Sequence, residues 1–149
     1  MRKPTVVVAV AVAFFVSVQL SFAQTGRLWT PLKPGIWSVR GTDEQNVRWT
    51  ARMHLERRGI RKTTVLYSGY FYWRSPDVDT KGYEYFTGSL DRRAGVLKLH
   101  GKRVRNLQGE LGVGVYRAQV RRSSEIYNGK WSDGDSVPGN WTARWSQYH

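Results

Sequence analysis

Pairs of basic side chains stand at three places in the sequence where turn-forming residues are also frequent. They occur at 57–62, at 92–93 and at 121–122. An arginine guanidinium presents a planar set of donors that fits carboxylate, phosphate and sulfate groups, so these pairs are candidates for binding anions. The candidate residues are Arg57, Arg58, Arg61, Lys62, Arg92, Arg93, Arg121 and Arg122.

Residues that could carry catalysis or hold a metal are sparse. Two carboxylate pairs, Asp77 with Asp79 and Asp133 with Asp135, have the composition that glycosidase chemistry uses. Both pairs lie near glycine or proline, where aspartate commonly makes the hydrogen bonds of a turn. The chain has no cysteine, and its three histidines lack the spacing of metal ligands. The sequence therefore predicts no catalytic residue, no metal and no cofactor, and a non-enzymatic protein is the favoured interpretation.

A third set of candidates is aromatic and is spread over most of the chain. Tryptophan and tyrosine can enclose an apolar ligand, or they can fill a hydrophobic core. Both interpretations stay open, because small β-barrels of either kind exist. The candidate ligand-binding residues, predicted to point into the interior, are Trp37, Trp49, Tyr116, Tyr127, Trp131, Trp141 and Trp145.

The elements that must position these side chains are strands. Apolar and polar residues alternate from Val47 to Glu56, and again from Asn140 to Trp145, which is the pattern of half-buried strands. Residues 63–73 are rich in β-branched and aromatic types. About eight such segments, joined by short polar turns, predict an all-β fold. We expect a single antiparallel up-and-down barrel, with a β-sandwich as the alternative.

In such a meander, alternate turns emerge at the same end of the barrel. The turns with the basic pairs are alternate turns and share one end of the barrel. The acidic turns at 43–44, 77–79 and 133–135 share the other end. The basic segment 102–105 is the exception. The topology therefore predicts one basic, anion-binding rim, which we name the basic rim.

The stretch that opens the first predicted strand recurs at the last one. Pro34-Gly35-Ile36-Trp37 and Pro138-Gly139-Asn140-Trp141 share the pattern Pro-Gly-x-Trp. Proline is tolerated at the first residue of a strand, and the two strands are neighbours in a closed meander. Because they run antiparallel, Trp37 and Trp141 are expected toward opposite ends.

Gly35-Ile36-Trp37 resembles the Gly-x-Trp motif at the first strand of the calycin group, which comprises the lipocalins and avidins. The resemblance implies a secreted barrel that binds a small molecule. It also implies that Trp37 lies at the base of the barrel.

The start of the chain has the composition of a secretory signal peptide. A basic start at 1–4 precedes an apolar run at 5–20, and Ser21-Phe22-Ala23 fits a cleavage site. The run is short for a membrane span, which is the alternative. We therefore expect a cleaved signal at 1–23, an extension at 24–34 and a barrel domain at 35–149. The protein is then secreted or periplasmic, with no membrane span in its mature chain.

The net charge of +13 becomes +11 when Arg2 and Lys3 leave with the signal. Such a charge attracts anions, including acidic polymers. We do not expect nucleic acid as a partner outside the cytoplasm.

One predicted strand is apolar on both faces. Leu66, Tyr70 and Tyr72 share the face opposite to Val65 and Phe71. A homodimer through the Leu66/Tyr70/Tyr72 face, or cover from the extension, would bury it.

These observations predict a non-enzymatic binding protein. It would hold a small amphipathic or anionic ligand at the mouth of the barrel, with the basic rim facing it. The alternative is a basic surface-interaction protein, which would bind an acidic polymer, an envelope component or a partner protein.

Overall fold

The computed structural model describes residues 26–132 and 137–146. These residues form a closed barrel of eight strands, in which each strand pairs antiparallel with the next and β8 pairs with β1. The described residues contain no helix. The predicted all-β up-and-down barrel is confirmed, and the sandwich alternative is not observed. The strands are β1 Gly35–Asp43, β2 Arg48–Arg61, β3 Thr64–Ser75, β4 Thr80–Asp91, β5 Val96–Gln108, β6 Val115–Arg122, β7 Glu125–Ser132 and β8 Gly139–Trp145.

The alternation of side chains explains why these segments form strands. In β2, Ala51, Met53 and Leu55 are buried in the interior, while Arg52 is exposed on the outer face. The same period of two runs through β6 and β8. A strand sends successive side chains to opposite faces, so this pattern suits a sheet with one dry face and one wet face.

Closure pairs the two strands that begin with Pro-Gly-x-Trp, as predicted, and leaves the two segments at opposite ends of the pair. β1 begins at Gly35 and β8 at Gly139, each directly after its proline. Trp37 pairs with Trp145, and Gly41 pairs with Trp141. Trp37 therefore lies nearer the start of β1, and Trp141 lies nearer its end.

The middle of the barrel is filled with side chains. The ring of Phe71 lies 4.8 Å from that of Phe86 and 4.9 Å from those of Trp73 and Tyr116, measured between centroids. Met53 and Leu99 are fully buried beside this cluster. This packing stabilises the barrel from within, since tilted aromatic pairs add to the free energy of apolar burial.

The two ends of the barrel differ. The β2–β3, β4–β5 and β6–β7 turns share one end with residues 26–34, and we call it the closed end. The β1–β2 and β3–β4 turns, the loop at 109–114 and residues 137–138 share the other, which we call the open end.

Residues 26–34 run across the closed end and cover it. Leu32 is 1% exposed, and its backbone N–H donates to the Tyr67 hydroxyl at 2.8 Å. Burial is the main reason why the pKa of Tyr67 lies above its usual value. The Trp29 N–H donates to the Arg92 carbonyl, and the Arg92 Nε donates back to the Trp29 carbonyl at 2.7 Å. Backbone hydrogen bonds thus hold this segment on the barrel.

A glycine shapes the contact that this segment makes. Gly95 has a positive φ of 67°, and a Cβ there would lie 2.7 Å from the indole of Trp29. Only glycine combines this backbone conformation with so close an approach.

Neighbouring side chains in the sheet pack on the outer face of β3 and leave it half-buried. The Tyr70 ring stacks on His54 at 5.3 Å and meets Tyr83 at 5.7 Å, while Tyr72 packs on Tyr83 at 4.9 Å. The backbone hydrogen bonds of the extension lie at the closed end instead. The homodimer through this face stays a prediction.

The predicted signal at 1–23 lies outside the described residues, as do residues 24–25 of the extension. Across the stretches 26–132 and 137–146, no helix is long and apolar enough to cross a membrane.

Candidate functional site

A cavity of about 280 Å³ opens between the loops of the open end. Its walls include residues from the β1–β2 and β3–β4 turns, the 109–114 loop and residue 137, which all lie at this end. Among the described residues, four aromatic and four aliphatic side chains supply the apolar lining. The residues that line it include Trp49, Trp73, Glu84, Leu111, Tyr116 and Trp131.

Tryptophans form the walls of this cavity. The rings of Trp49 and Trp73 meet edge to face, with centroids 6.4 Å apart. Trp131 lies 6.1 Å from Trp73 on the other side, and Tyr116 stacks on Trp73 at 6.3 Å. Trp49 and Trp131 are only partly buried, so they present ring surface to whatever enters.

Glu84 lies at the base of the cavity and is 1% exposed. Its Oε2 accepts hydrogen bonds from Trp73 Nε1 at 2.9 Å and from the Tyr116 hydroxyl at 2.5 Å. Its Oε1 accepts one from the Gly114 N–H at 2.6 Å. A buried carboxyl group is costly unless donors surround it, and these contacts supply them. Glu84 therefore ties β3, β6 and the 109–114 loop together beneath the cavity.

A glycine leaves room for this carboxyl group. A Cβ at position 101 would lie 2.3 Å from Glu84 Oε1, and the Gly101 N–H donates to the Gly114 carbonyl at 2.8 Å. Any side chain there would displace Glu84 or break the contact between β5 and the loop.

The 109–114 loop folds over the open end. Its Leu111 N–H donates to Asn106 Oδ1 at 2.9 Å, and the Leu111 side chain packs against the core. Glu110 is exposed at the cavity wall. The loop thus brings one apolar and one acidic side chain to the mouth.

Asp43 organises the opposite wall through the β1–β2 turn. Its Oδ1 accepts the backbone N–H groups of Gln45 at 2.9 Å and Val47 at 3.0 Å. Its Oδ2 accepts from Trp49 Nε1 at 3.3 Å, which orients that indole. This is the hydrogen bonding expected of a turn aspartate.

The electrostatics of the cavity are acidic. Asp43, Glu84 and Glu110 line it, and none of the described residues in its wall is lysine or arginine. Carboxyl groups around aromatic faces favour a positively charged or hydrogen-bond-donating group, because both the charges and the ring quadrupoles attract cations.

The predicted interior aromatics divide among several places. Trp49, Tyr116 and Trp131 line the cavity. Trp141 is buried in the core, and Trp37 is fully buried toward the closed end.

Trp145 lies at the closed end, where it contacts the extension. Its Nε1 donates to the Pro34 carbonyl at 3.1 Å, and the Lys33 ammonium lies 4.4 Å from its ring.

The interior position predicted for Tyr127 is wrong. The register of β7 against β8 shifts between Ile126 and Gly129, and both of these residues are buried in the interior. Tyr127 therefore lies on the outer face, half-buried, where the Arg121 guanidinium sits 4.8 Å from its ring. A β-bulge of this kind changes which residues face inward.

Sequence reasoning missed Trp73 and Glu84. Trp73 continues the inward alternation of Val65, Tyr67 and Phe71 in β3. Glu84 stands between Gly82 and Phe86 at an inward position of β4. The local sequence contains no signal for it, because Tyr83 and Tyr85 make the other face of the strand equally suited to the interior.

The residues of the basic rim were predicted to lie in turns, but of these eight residues only Lys62, Arg92 and Arg93 do so, and the other five lie near the ends of β2 and β6. Arg57, Arg58, Arg61, Lys62, Arg92, Arg93, Arg121 and Arg122 all belong to the three hairpins that meet at the closed end. Some of these side chains have partners there. Arg58 pairs with Glu56 at 3.3 Å, and Arg121 pairs with Glu125 at 3.7 Å.

No residue of the basic rim lines the cavity at the open end. The rim and that cavity lie at opposite ends, because turns of opposite parity build them. The anion-binding role of the rim stays a prediction.

Among the residues that the structure describes, no group of three or more histidine, aspartate or glutamate side chains could hold a metal ion.

Comparisons with known proteins find little similarity. No protein-family model matches the chain, and no curated protein matches it. A solved structure described as "EF1p2_mFAP2b bound to DFHBI" is similar with a TM-score of 0.47 and 14% identity, over 76% of this chain and 93% of that one. The closed eight-stranded meander is itself consistent with the calycin-type barrel that Gly35-Ile36-Trp37 resembles.

Proposed function

We propose that this chain is a non-enzymatic binding protein that takes a small amphipathic molecule into the cavity at the open end. One observation carries the proposal: three tryptophans and a buried carboxyl group surround a cavity of about 280 Å³ that opens at the end of a filled barrel. Apolar walls with a few convergent polar groups are typical of small-molecule sites.

The lining determines the chemistry of the proposed ligand. An apolar or aromatic body would lie between Trp49 and Trp131. A cationic or donor group would face the carboxyl groups of Asp43, Glu84 and Glu110. An anionic group, which the basic rim had suggested, would be repelled here. The size of the cavity favours a ligand smaller than a typical drug, since such sites usually span about 300–1,000 Å³.

Isothermal titration calorimetry with two probes of similar size tests this proposal. Phenyltrimethylammonium carries the predicted cationic group, and benzenesulfonate carries an anionic one. We expect saturable binding of the cation at one site and weaker or undetectable binding of the sulfonate. Equal binding of both, or tighter binding of the sulfonate, would contradict the proposed ligand chemistry.

A matched pair of variants locates the site. Trp131→Ala removes a cavity wall, and we expect about tenfold weaker binding of the cation. Trp145→Ala removes an equally half-buried tryptophan at the closed end and should leave the affinity within about twofold, because it touches no part of the site. The proposal fails if Trp145→Ala has the larger effect.

We further propose that binding takes place outside the cytoplasm. The signal-like composition of residues 1–23 supports this. Fractionation of the source cells, followed by N-terminal sequencing, should find a mature chain that begins near Gln24. A mature protein that retains Met1 would contradict export.

A further inference from the structure

The outer face of the barrel carries a second group of basic side chains, which are distinct from the basic rim. They lie on strands, at the outward positions that alternate with the buried core. All six are exposed. They are Arg40, Arg52, Arg74, Arg117, Lys130 and Arg144, and we call them the basic face.

The register of the sheet places these cations among short polar side chains. Ser38 lies between Arg52 of β2 and Arg144 of β8 in one row across the strands. Arg40 lies between Thr50 and Thr142 in the next outward-facing row. Since strands lie about 4.8 Å apart and alternate residues about 6.8 Å apart, the guanidinium groups are spaced on the scale of neighbouring charges along a polymer.

Opposite charges are scarce on the basic face. Among the described residues, no ion pair within 4 Å involves any of the six. The adjacent Arg48 differs, because it pairs with Asp77 at 2.7 Å. Glu125 is the register neighbour of Arg144, but its carboxylate pairs with Arg121. The positive potential of the basic face is therefore available to a partner.

Shallow depressions run across this face. Three of them, of about 720, 420 and 360 Å³, share Arg40 in their lining and so adjoin one another. Hydroxyl and amide side chains supply much of the remaining lining, including Thr42, Asn140 and Thr142. The surface thus offers anion-binding forks beside groups that can both donate and accept hydrogen bonds.

We propose that the basic face binds an acidic polysaccharide, that is, a chain of sugars bearing carboxylate or sulfate groups. The arginines fit the anionic groups, and the interleaved hydroxyl and amide side chains fit the sugar hydroxyls. A single-stranded nucleic acid fits less well, because its affinity depends on stacking of bases on exposed aromatic rings. Tyr72 lines one of the depressions, but it is half-buried and its ring packs on Tyr83 at 4.9 Å, so it offers one occupied ring and no row of exposed rings. A second copy of this chain is disfavoured, since it would bring like charges together.

Two triple variants test where the polysaccharide binds. Each removes three positive charges, so the two differ only in the surface from which the charges are lost. The face variant is Arg40→Gln, Arg52→Gln and Arg144→Gln. The rim variant is Arg57→Gln, Arg61→Gln and Arg93→Gln. Binding to immobilised polygalacturonate is measured at moderate salt, and thermal melts verify that both variants are folded.

We expect the face variant to bind about tenfold more weakly and the rim variant less than about threefold more weakly, because the lost contacts are specific to the face. Equal losses would show that only net charge matters, and a larger loss in the rim variant would place the site on the rim. Either result overturns the proposal, as does a wild-type protein that does not bind polygalacturonate.

An oligothymidylate of similar total charge distinguishes the other polymer class. If it binds more tightly than polygalacturonate and the face variant weakens it equally, the occupant is a nucleic acid and the proposal is wrong. These outcomes are independent of ligand binding at the open end.

Discussion

The closed end and the open end of the barrel are both formed by connections between antiparallel neighbouring strands, yet they differ in charge and in cover. Basic side chains surround the closed end, and the chain's own residues 26–34 cover it, with Leu32 at 1% exposure. Carboxyl groups and tryptophans surround the open end, where a cavity of about 280 Å³ remains. The charge of an end therefore does not determine whether a ligand can enter there. Entry depends on whether a chain segment packs over that end.

The cover of the closed end rests on backbone hydrogen bonds as much as on side chains. Lys33 N–H donates to the Ser123 carbonyl at 2.8 Å, which ties the extension to the β6–β7 turn. Trp29 makes the equivalent tie to the β4–β5 turn at 2.8 Å. Such contacts depend little on side-chain type, so composition does not reveal them.

The largest effect on the free energy of unfolding is expected at the closed end. Leu32→Ala removes a fully buried side chain, and we expect a loss of about 2–5 kcal/mol in the free energy of unfolding. Leu28→Ala, in the same segment but exposed, should change it by less than about 0.5 kcal/mol. Urea denaturation measures both. Equal stabilities for the two variants would show that the extension does not seal the barrel.

The next effect is expected beneath the open end. Glu84→Gln replaces one acceptor oxygen with a donor, so an N–H of Trp73 or Gly114 loses its partner. A buried donor without an acceptor costs about 1–3 kcal/mol. Glu110→Gln makes the same chemical change at an exposed cavity residue and should cost less than about 0.5 kcal/mol. Urea denaturation again provides the measurement. A stable Glu84→Gln protein would contradict the role of this carboxyl group.

The smallest effect on stability is expected at the ion pair between Arg48 and Asp77 at the open end, and this effect depends on pH. Arg48 donates hydrogen bonds to Asp77 and lowers the pKa of its carboxyl group from 3.8 to about 2. A lowered pKa in the folded state stabilises the protein above about pH 4, and this contribution is lost as the pH falls through 2. The pair is exposed, so its contribution is small and is screened by salt.

Asp77→Asn isolates this contribution. The difference in melting temperature between wild type and variant should be present at pH 5 and shrink toward pH 2. If the difference in melting temperature stays the same from pH 5 to pH 2, the ion pair is not its cause.

Much of the fold could be predicted from the sequence, because the alternation in β2, β6 and β8 reports directly which face each residue takes. The shared end of the basic turns followed from the same meander. The position of Tyr127 could not be predicted, since it depends on a register shift after Ile126. The cover by Leu32 was equally hidden, because short extensions carry no periodic pattern.

The candidate site was only partly predictable. Trp49, Tyr116 and Trp131 belong to the aromatic set, but nothing in their local sequence shows that they meet at one end while Trp145 lies at the other. Glu84 lies in β4, and its local sequence is equally consistent with an exposed side chain. Its role appears when Trp73, Gly114 and Tyr116 are brought together by strands distant in the chain.

The central claim is that a small ligand enters at the acidic, tryptophan-lined open end. Nuclear magnetic resonance of the indole N–H groups tests it most directly, because each of the seven tryptophans gives one signal and single Trp→Phe variants assign them. On titration with phenyltrimethylammonium, the signals of Trp49, Trp73 and Trp131 should shift together, while those of Trp37 and Trp145 stay in place. Shifts confined to Trp37 and Trp145, or shifts produced by benzenesulfonate and not by the cation, would contradict the account.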